Sequence, residues 1–496
     1  MTETLPGSLL AELRRIVGEA AVVSDPGRLL VYESDGLTAY RRRPAAVVLP
    51  DDTAQARDVL LRLAEAGVPV VPRGAGTGLS GGALAAEGAV VVGTSRMSRI
   101  LELDAANRVA RVQPGVVNAH LTTAARPHGL YYAPDPSSQS ACTLGGNVAE
   151  NSGGPHCLKY GVTSRYVTGL TVVLVDGELL ELGGAFRERG GYDLVGLMVG
   201  SEGCFGLVTE IEVRLLPLAE GASTLLAIFD AIEDAGRAVT SIIASGLLPA
   251  AVEIMDQETI RAVEDSVFAA GYPRDAGAAL VVEFDGTVAG LETECGRAEA
   301  ACLAAGAREV RRAQNELERA ALWKGRKKAF GAMGRIAPDL MVQDATVPRT
   351  RLPEVLGRIG EIGRRYGLTV ANVFHAGDGN LHPNILFDRR NADEMERVEL
   401  ASSEMMKACV DVGGTITGEH GVGVDKRRYM PLVHSPDELS AMAGVKAAFD
   451  PSGRLNPGKV LPDGVAPPGP WRGGRAGPGG AREAEPRPRA SGAGIP

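Results

Sequence analysis

The segment Val70-Val-Pro-Arg-Gly-Ala-Gly-Thr-Gly-Leu-Ser-Gly-Gly82 runs from a strand-forming Val-Val pair straight into a glycine-rich loop. Glycines at 74, 76 and 78 let successive backbone N–H groups converge, and such a nest binds phosphate. The spacing does not open a helix in the G-x-G-x-x-G manner, because Gly81 and Gly82 prolong the loop. By itself the segment fits a surface turn as well. Five further loops of the same kind follow: Pro134-Asp-Pro-Ser-Ser138, Leu144-Gly-Gly-Asn147, Asn151-Ser-Gly-Gly154, Lys159-Tyr-Gly161 and Gly200-Ser-Glu-Gly203. Together they offer small, polar, close-approach surfaces to a long ligand carrying a pyrophosphate.

Around these loops short apolar strands alternate with helices. Strands are expected over 45–50, 68–72, 89–93, 108–113 and 207–215, with a helix over 53–66 and a hairpin over 170–182 that turns at Asp176-Gly177. Residues 1–40 read as a helical lead-in, since Leu9, Leu10, Leu13, Ile16 and Val17 recur at helical spacing. A second α+β pattern runs from about 222 to 407, with strands over 250–254, 279–284 and 369–374 and helices over 317–333 and 351–366. The segment 411–465 carries its own loops and a helix near 438–449. The expected organisation is therefore a lead-in (1–40), a ligand domain (41–220), a second domain (221–410), a C-terminal segment (411–462) and a tail (463–496). The tail is dominated by Gly, Pro, Ala and Arg and is expected to be disordered, because it cannot bury enough apolar surface to order itself.

At 496 residues the chain is too long for one ordinary core. Apolar residues reach 45% but aromatics only 4%, so the cores must be built from Leu, Val, Ile and Ala. The net charge of −9, without a basic stripe interleaved with aromatics, argues against nucleic acid as a partner. None of the six cysteines forms a C-x-x-C pair, so iron–sulfur and metal–thiolate sites lack their spacing. Reduced, buried thiols in a cytoplasmic protein are the expectation. Acids at Glu3 and Glu12 and the lack of a long apolar stretch exclude a secretory signal. No apolar run approaches the roughly 18 residues of a transmembrane helix, so membrane association would need a partner.

The ordered loops, with Gly191-Tyr-Asp-Leu194, Asp450-Pro451 and Leu455-Asn-Pro-Gly-Lys459, resemble FAD enzymes of the vanillyl-alcohol-oxidase type. Within that type the chain is similar to the branch holding the flavin subunit of glycolate oxidase, D-lactate dehydrogenase and D-2-hydroxyglutarate dehydrogenase. The resemblance runs from about 40 to 462. It implies an α+β fold: an FAD-binding domain of two subdomains, a ferredoxin-like α+β substrate cap, and a C-terminal helical segment returning to the flavin domain. It implies that Arg73, Gly74, Ala75, Gly76, Thr77, Gly78, Leu79 and Ser80 wrap the pyrophosphate. Pro134, Ser138, Gly145, Gly146, Asn151, Ser152 and Gly154 would line the flavin and adenosine. Glu202 and Ile211 would sit near the adenine, and Asn456 and Lys459 would return to the isoalloxazine. The loop 73–82 lacks the histidine by which some relatives attach flavin covalently, so non-covalent FAD is implied.

Three of the seven histidines fall in two motifs, His375-Ala-Gly-Asp-Gly-Asn-Leu-His382 and Gly418-Glu419-His420-Gly421. Two imidazoles and a carboxylate suit a divalent metal with an open position. Spacing alone leaves that reading level with a hydrogen-bonded turn without metal. The resemblance favours a metal, zinc or manganese, on His375, His382 and Glu419. Oxidising a 2-hydroxy acid means removing the hydroxyl proton and moving a hydride to flavin N5. A metal chelated by the α-hydroxyl and carboxylate would help both. His420 is then the candidate base. The family pattern singles out Arg326 as carboxylate clamp and Asn384 as a substrate contact; read without it, Arg326 is one cation on a solvated helix face.

The expected reaction is oxidation of glycolate or D-lactate to the 2-oxo acid. A D-2-hydroxyglutarate dehydrogenase is the alternative, but the stretch Pro338-Asp-Leu-Met-Val-Gln-Asp344 offers no lysine for a second carboxylate, and Lys327 and Lys328 should point away from Arg326. A non-redox metal hydrolase would not need the flavin half. A flavoprotein subunit without chemistry would not need the histidine motifs. An alkyl-glycerone-phosphate synthase would carry a run of consecutive histidines, which is missing. Electrons must leave to oxygen, a quinone, a cytochrome or a separate iron–sulfur subunit. A homodimer is compatible with the sequence.

Overall fold

The computed structural model describes residues 5–184 and 190–468. The flavin half consists of two subdomains. In the first, Ala46–Val48 and Val70–Arg73 lie parallel to a central Val90–Gly93, so three strands that are almost wholly buried run side by side. The helix Thr53–Glu65 covers them because Ala56, Val59, Leu60 and Leu63 fall on one face. It starts where the Asp52 side chain accepts from the Gln55 amide. The lead-in is not helical throughout: Val22–Val23 adds an antiparallel edge strand to this sheet, through Val22↔Val48 and Val23↔Val47.

The second subdomain is a five-stranded antiparallel sheet ordered Ile100–Asp104, Val109–Val112, Leu207–Arg214, Val167–Val173 and Leu179–Gly183. The hairpin closes at Asp176-Gly177, where Gly177 takes a φ of +83° that other residues resist.

The cap is built on one antiparallel sheet that has nine strands among the described residues. Its first four, Gly221–Phe229, Ala251–Asp256, Ala278–Gly286 and Glu309–Arg312, are joined by the helices Ile232–Ala244 and Val288–Ala304 and lie in the spatial order fourth, first, third, second. That is the ferredoxin-like β-α-β-β-α-β arrangement. Thr369–His375 pairs with Ala251–Asp256 and carries the sheet onward, which sets His375 beside Glu253. The single helix expected over 317–333 is broken at Lys328 into Glu316–Lys327 and Ala329–Met333. Just before the break, the Tyr272 hydroxyl donates to the Leu322 carbonyl, a competitor for the helical acceptor.

After the cap, the helix Pro436–Phe449 opens on a capping box between Ser435 and Glu438. The chain then returns to the first flavin sheet: Leu455 bridges Val70, and the Asn456 amide donates to the Val70 carbonyl at 2.7 Å. Of the expected tail, Asp463 pairs with Arg427 and the Ala466 carbonyl accepts from Ser440. Residues 469–496 lie outside the described residues.

Candidate active site

A cavity of about 600 Å³ lies where the flavin half, the cap and the C-terminal segment meet. That size suits a ligand well beyond a single small acid. Of the residues named from sequence, Arg73 through Leu79, Ser138, Gly145, Gly146, Ser152 and Glu202 line its flavin side, and His375, His382, Glu419 and His420 line its far wall. The others stand behind this surface. Ser80 fixes the C-terminal segment by accepting, on its carbonyl, from the Val424 and Asp425 amides. Pro134 presents its carbonyl to Asn118. Asn151 ends a helix with φ of +50° and receives the Ser164 amide on its side chain. Gly154 packs on the Asp135 backbone, and Ile211 is buried in the second subdomain's core. Asn456 donates to the Gly82 and Glu202 carbonyls, and Lys459 to the Leu84 carbonyl.

The glycine-rich loop has the shape that its sequence implies. Gly76 takes a φ of +72°, and a side chain there would run into the Arg73 guanidinium folded behind the loop. That guanidinium donates to the Ser34 carbonyl at 2.9 Å and so ties the loop to the N-terminal segment. At Gly76 the backbone is left bare, as close approach to a pyrophosphate requires. This cradle fits FAD.

The histidine cluster is ordered from behind. His375 Nδ1 lies 2.8 Å from Glu253 Oε1, which presents Nε2 to the cavity, 3.2 Å from Glu419 Oε1. His382 Nδ1 faces the Gln343 carbonyl at 3.3 Å, and its Nε2 is 3.1 Å from the same Glu419 oxygen. Two imidazole nitrogens and a carboxylate oxygen thus converge, each imidazole oriented by a separate partner on its other nitrogen. That donor set and backing fit a divalent metal. A second grouping, Asp344 with His382 and His420, fits less well. Asp344 is already engaged by Lys426 at 2.8 Å, by Thr417 and by the amides of residues 418–420.

Electrostatics follow from these contacts. Burial opposes the charge on His375, but Glu253 and Glu419 outweigh it and raise its pKa well above the imidazole range. Burial likewise opposes ionisation of Glu419, yet His375 and His382 hold it well below the carboxylate range. His420 stacks on His382 with ring centroids 4.9 Å apart. Burial pushes it down to about 4, with Asp344 opposing and His382 adding. It is therefore neutral at pH 7. Its Nδ1 is buried without a partner, and Nε2 is 3.8 Å from Glu419.

Arg326 does not line the cavity. It is 1% exposed, and its Nε donates to Glu253 at 2.7 Å. Asn384 is fully buried and donates to the Ala371 and His382 carbonyls. Lys327 does turn away from Arg326, but the direction it takes is into the cavity, where it lies 3.7 Å from Asp135. Sequence reasoning passed over Glu253, Asp344 and Lys426. The signal for Glu253 was a lone acid in the apolar run Ala251-Val-Glu-Ile-Met255. Asp344 and Lys426 are 82 residues apart, and neither marks the other.

Fold and site together define a flavin-dependent oxidoreductase whose cofactor domain is closed by a separate cap. The FAD binding domain family matches residues 44–183, and the FAD linked oxidases C-terminal domain matches 218–460. The chain belongs to the FAD-linked oxidases. It is 49% identical over 455 residues to the glycolate oxidase subunit GlcD of Escherichia coli, covering 92% of this chain and 91% of that one. It is 44% identical to the protein of the same name from Bacillus subtilis, covering 88% of this chain and 93% of that one. Against a D-lactate dehydrogenase of Anaerostipes hadrus it is 33% identical, covering 88% and 95%. Among solved structures, p-cresol methylhydroxylase shares the fold with a TM-score of 0.78 at 15% identity, covering 92% of this chain and 98% of that one. The 4-ethylphenol oxidase of Gulosibacter chungangensis does so with a TM-score of 0.77 at 18% identity, covering 93% and 97%. Among the described residues no helix is long and apolar enough to cross a membrane.

Proposed function

We propose that this chain oxidises a small 2-hydroxy acid, glycolate or D-lactate, to the 2-oxo acid. The observation that carries the reading is the shared cavity, which puts the His375–His382–Glu419 cluster and His420 across from the glycine loops of the flavin half. FAD, held without a covalent bond, supplies the acceptor for the α-hydrogen and its electron pair. A divalent ion on His375, His382 and Glu419, zinc or manganese, supplies a Lewis acid for the α-hydroxyl.

The chain's own residues do the rest. His420 Nε2 takes the hydroxyl proton. Glu253 and the Gln343 carbonyl keep both imidazoles turned toward the cavity. Glu253 takes Nε and Nη2 of Arg326, so this buried guanidinium fixes the acid that orients His375. Asn384 steadies the His382 backbone from beneath. Phe330, with its ring 6.4 Å from that of His382, closes the cap side against bulk water.

One observation favours a second reading. Lys327 brings a cation to the cavity, which a dicarboxylate such as D-2-hydroxyglutarate would use. We favour the monocarboxylate because Asp135 already faces Lys327. Two of the relatives above are named as subunits, so we also propose that electrons leave through a separate partner protein. Turnover of glycolate, D-lactate and D-2-hydroxyglutarate with one dye acceptor tests the reading. Highest kcat/KM on a monocarboxylate is expected; preference for the dicarboxylate, or no turnover of any hydroxy acid, overturns it.

A further inference from the structure

Glu150 closes the helix Leu144–Glu150 and lines the cavity beside the glycine-rich loop. Its carboxyl occupies room that two glycines leave open. A β-carbon at Gly82 would lie 2.8 Å from Glu150 Oε1. A β-carbon at Gly421 would press on Glu150 Oε2 and lie 2.8 Å from Glu202 Oε1. Two carboxyl groups from different loops therefore converge on the same backbone.

The two are not held alike. Glu202 Oε1 accepts from the Val422 amide at 2.6 Å and Oε2 from the Gly423 amide at 2.7 Å; burial raises its pKa, and these two bonds oppose that rise. Glu150 Oε2 is inaccessible to solvent and has no hydrogen-bond partner. An ionised oxygen left in that state is costly, and a proton on the carboxyl removes the charge. The other charged groups facing Glu150 do not relieve it. Asp35, from the N-terminal segment, adds a further acid. Lys426 is committed to Asp344, and Lys459 to the Leu84 carbonyl and Asn456. Burial first, and then the charge of Glu202, push the Glu150 carboxyl well above the usual carboxylate range.

We propose that Glu150 stands in the cavity wall as a neutral carboxylic acid and that it hydrogen-bonds the bound FAD. Nothing in this depends on which hydroxy acid is oxidised. A neutral carboxyl offers the cofactor a donor. An anion in its place would offer acceptors only and would repel the negative charge that the cofactor gains on reduction.

The holoprotein and the variants Glu150→Gln and Glu150→Ala test this at pH 8, where ordinary buried acids have lost their protons. Infrared spectra of the wild type should show a protonated-carboxyl C=O stretch that moves on deuteration and is missing in Glu150→Gln. FAD titrated into apoprotein should bind Glu150→Gln within about twofold of wild type, because the amide is neutral and also donates. Glu150→Ala should bind about tenfold more weakly, the loss of roughly one hydrogen bond. Retention of the infrared band in Glu150→Gln overturns the protonation. Equal FAD affinity and an unchanged flavin spectrum in Glu150→Ala overturn the contact. Should Glu150→Ala fail to fold, Glu150→Gln alone decides both points, since an ionised Glu150 would make that exchange alter the flavin absorbance.

Discussion

On the flavin side of the cavity the lining is drawn from three stretches rich in glycine and small polar residues, 73–79, 136–152 and 201–208. On the far wall they are four side chains, His375, His382, Glu419 and His420, each with a named partner behind or beside it. The first surface is redundant: many amides share the work, and most side chains there only hold the loops. The second is not, because each imidazole or carboxylate has a separate chemical task. Single substitutions should therefore cost little on the flavin side and nearly everything on the other.

The largest effect is expected at His420. His420→Ala should lower kcat by about 10²–10⁴-fold, the range for a lost general base, while FAD content stays at wild-type level. His382→Ala should also lose one equivalent of metal by elemental analysis. Full metal content in His382→Ala would break the contrast between the two surfaces.

Glu253 sharpens it, since this acid touches no ligand. Glu253→Gln should reduce metal affinity or turnover by about 10–100-fold, as for groups that orient metal-binding histidines. It should also destabilise the cap, because Arg326 is left as a buried charge without its carboxylate, a cost on the order of 3–5 kcal/mol. A denaturant titration separates the two effects.

How much of this was legible beforehand follows from the range of each interaction. The helix Thr53–Glu65 and the Asp176-Gly177 hairpin were legible because their signals are local: a cap, a one-sided apolar repeat, a glycine at positive φ. The ferredoxin-like cap and the convergence of the histidine motifs with Glu419 came from family resemblance and chemistry. The edge strand Val22–Val23 was missed because two residues carry no period. Glu253, Asp344 and Lys426 were missed because each acts through a partner brought near only by the sheet. Arg326 shows the same limit: the family pattern singled it out as a clamp, while its position gave it Glu253.

A smaller effect is expected where the two halves clasp each other. His156, from the flavin half, lies 2.9 Å from Asp135 and 3.5 Å from Glu283 of the cap, stacked on Trp323. Burial works against its charge, but Asp135 and Glu283 raise it to about 10 from an ordinary 6.5. Burial works against the charge of Glu283, yet His156, with Thr224 and Trp323, brings it to about 2 from an ordinary 4.5. A raised imidazole stabilises fully below 6.5, and that contribution is lost as pH rises toward 10. A depressed carboxylate stabilises above 4.5, and that contribution is lost as pH falls toward 2. Thermal stability should therefore be flat between these limits and decline on both sides. His156→Gln should flatten the alkaline decline; an unchanged alkaline limb would show that the clasp contributes nothing.

The smallest effect is expected at the end of the chain. Truncation after Pro468 should leave turnover and flavin content unchanged, and acid precipitation should release all the flavin into the supernatant. Loss of flavin on truncation would give the last residues a role in the cofactor half.

The most direct measurement mixes the oxidised holoprotein anaerobically with D-lactate or glycolate and follows the flavin absorbance, before and after chelation. The expected result is rapid bleaching that chelation abolishes and that zinc or manganese restores, with FAD still bound throughout. Equal bleaching of the metal-free protein would contradict it, because the His375–His382–Glu419 surface would then have no part in the chemistry.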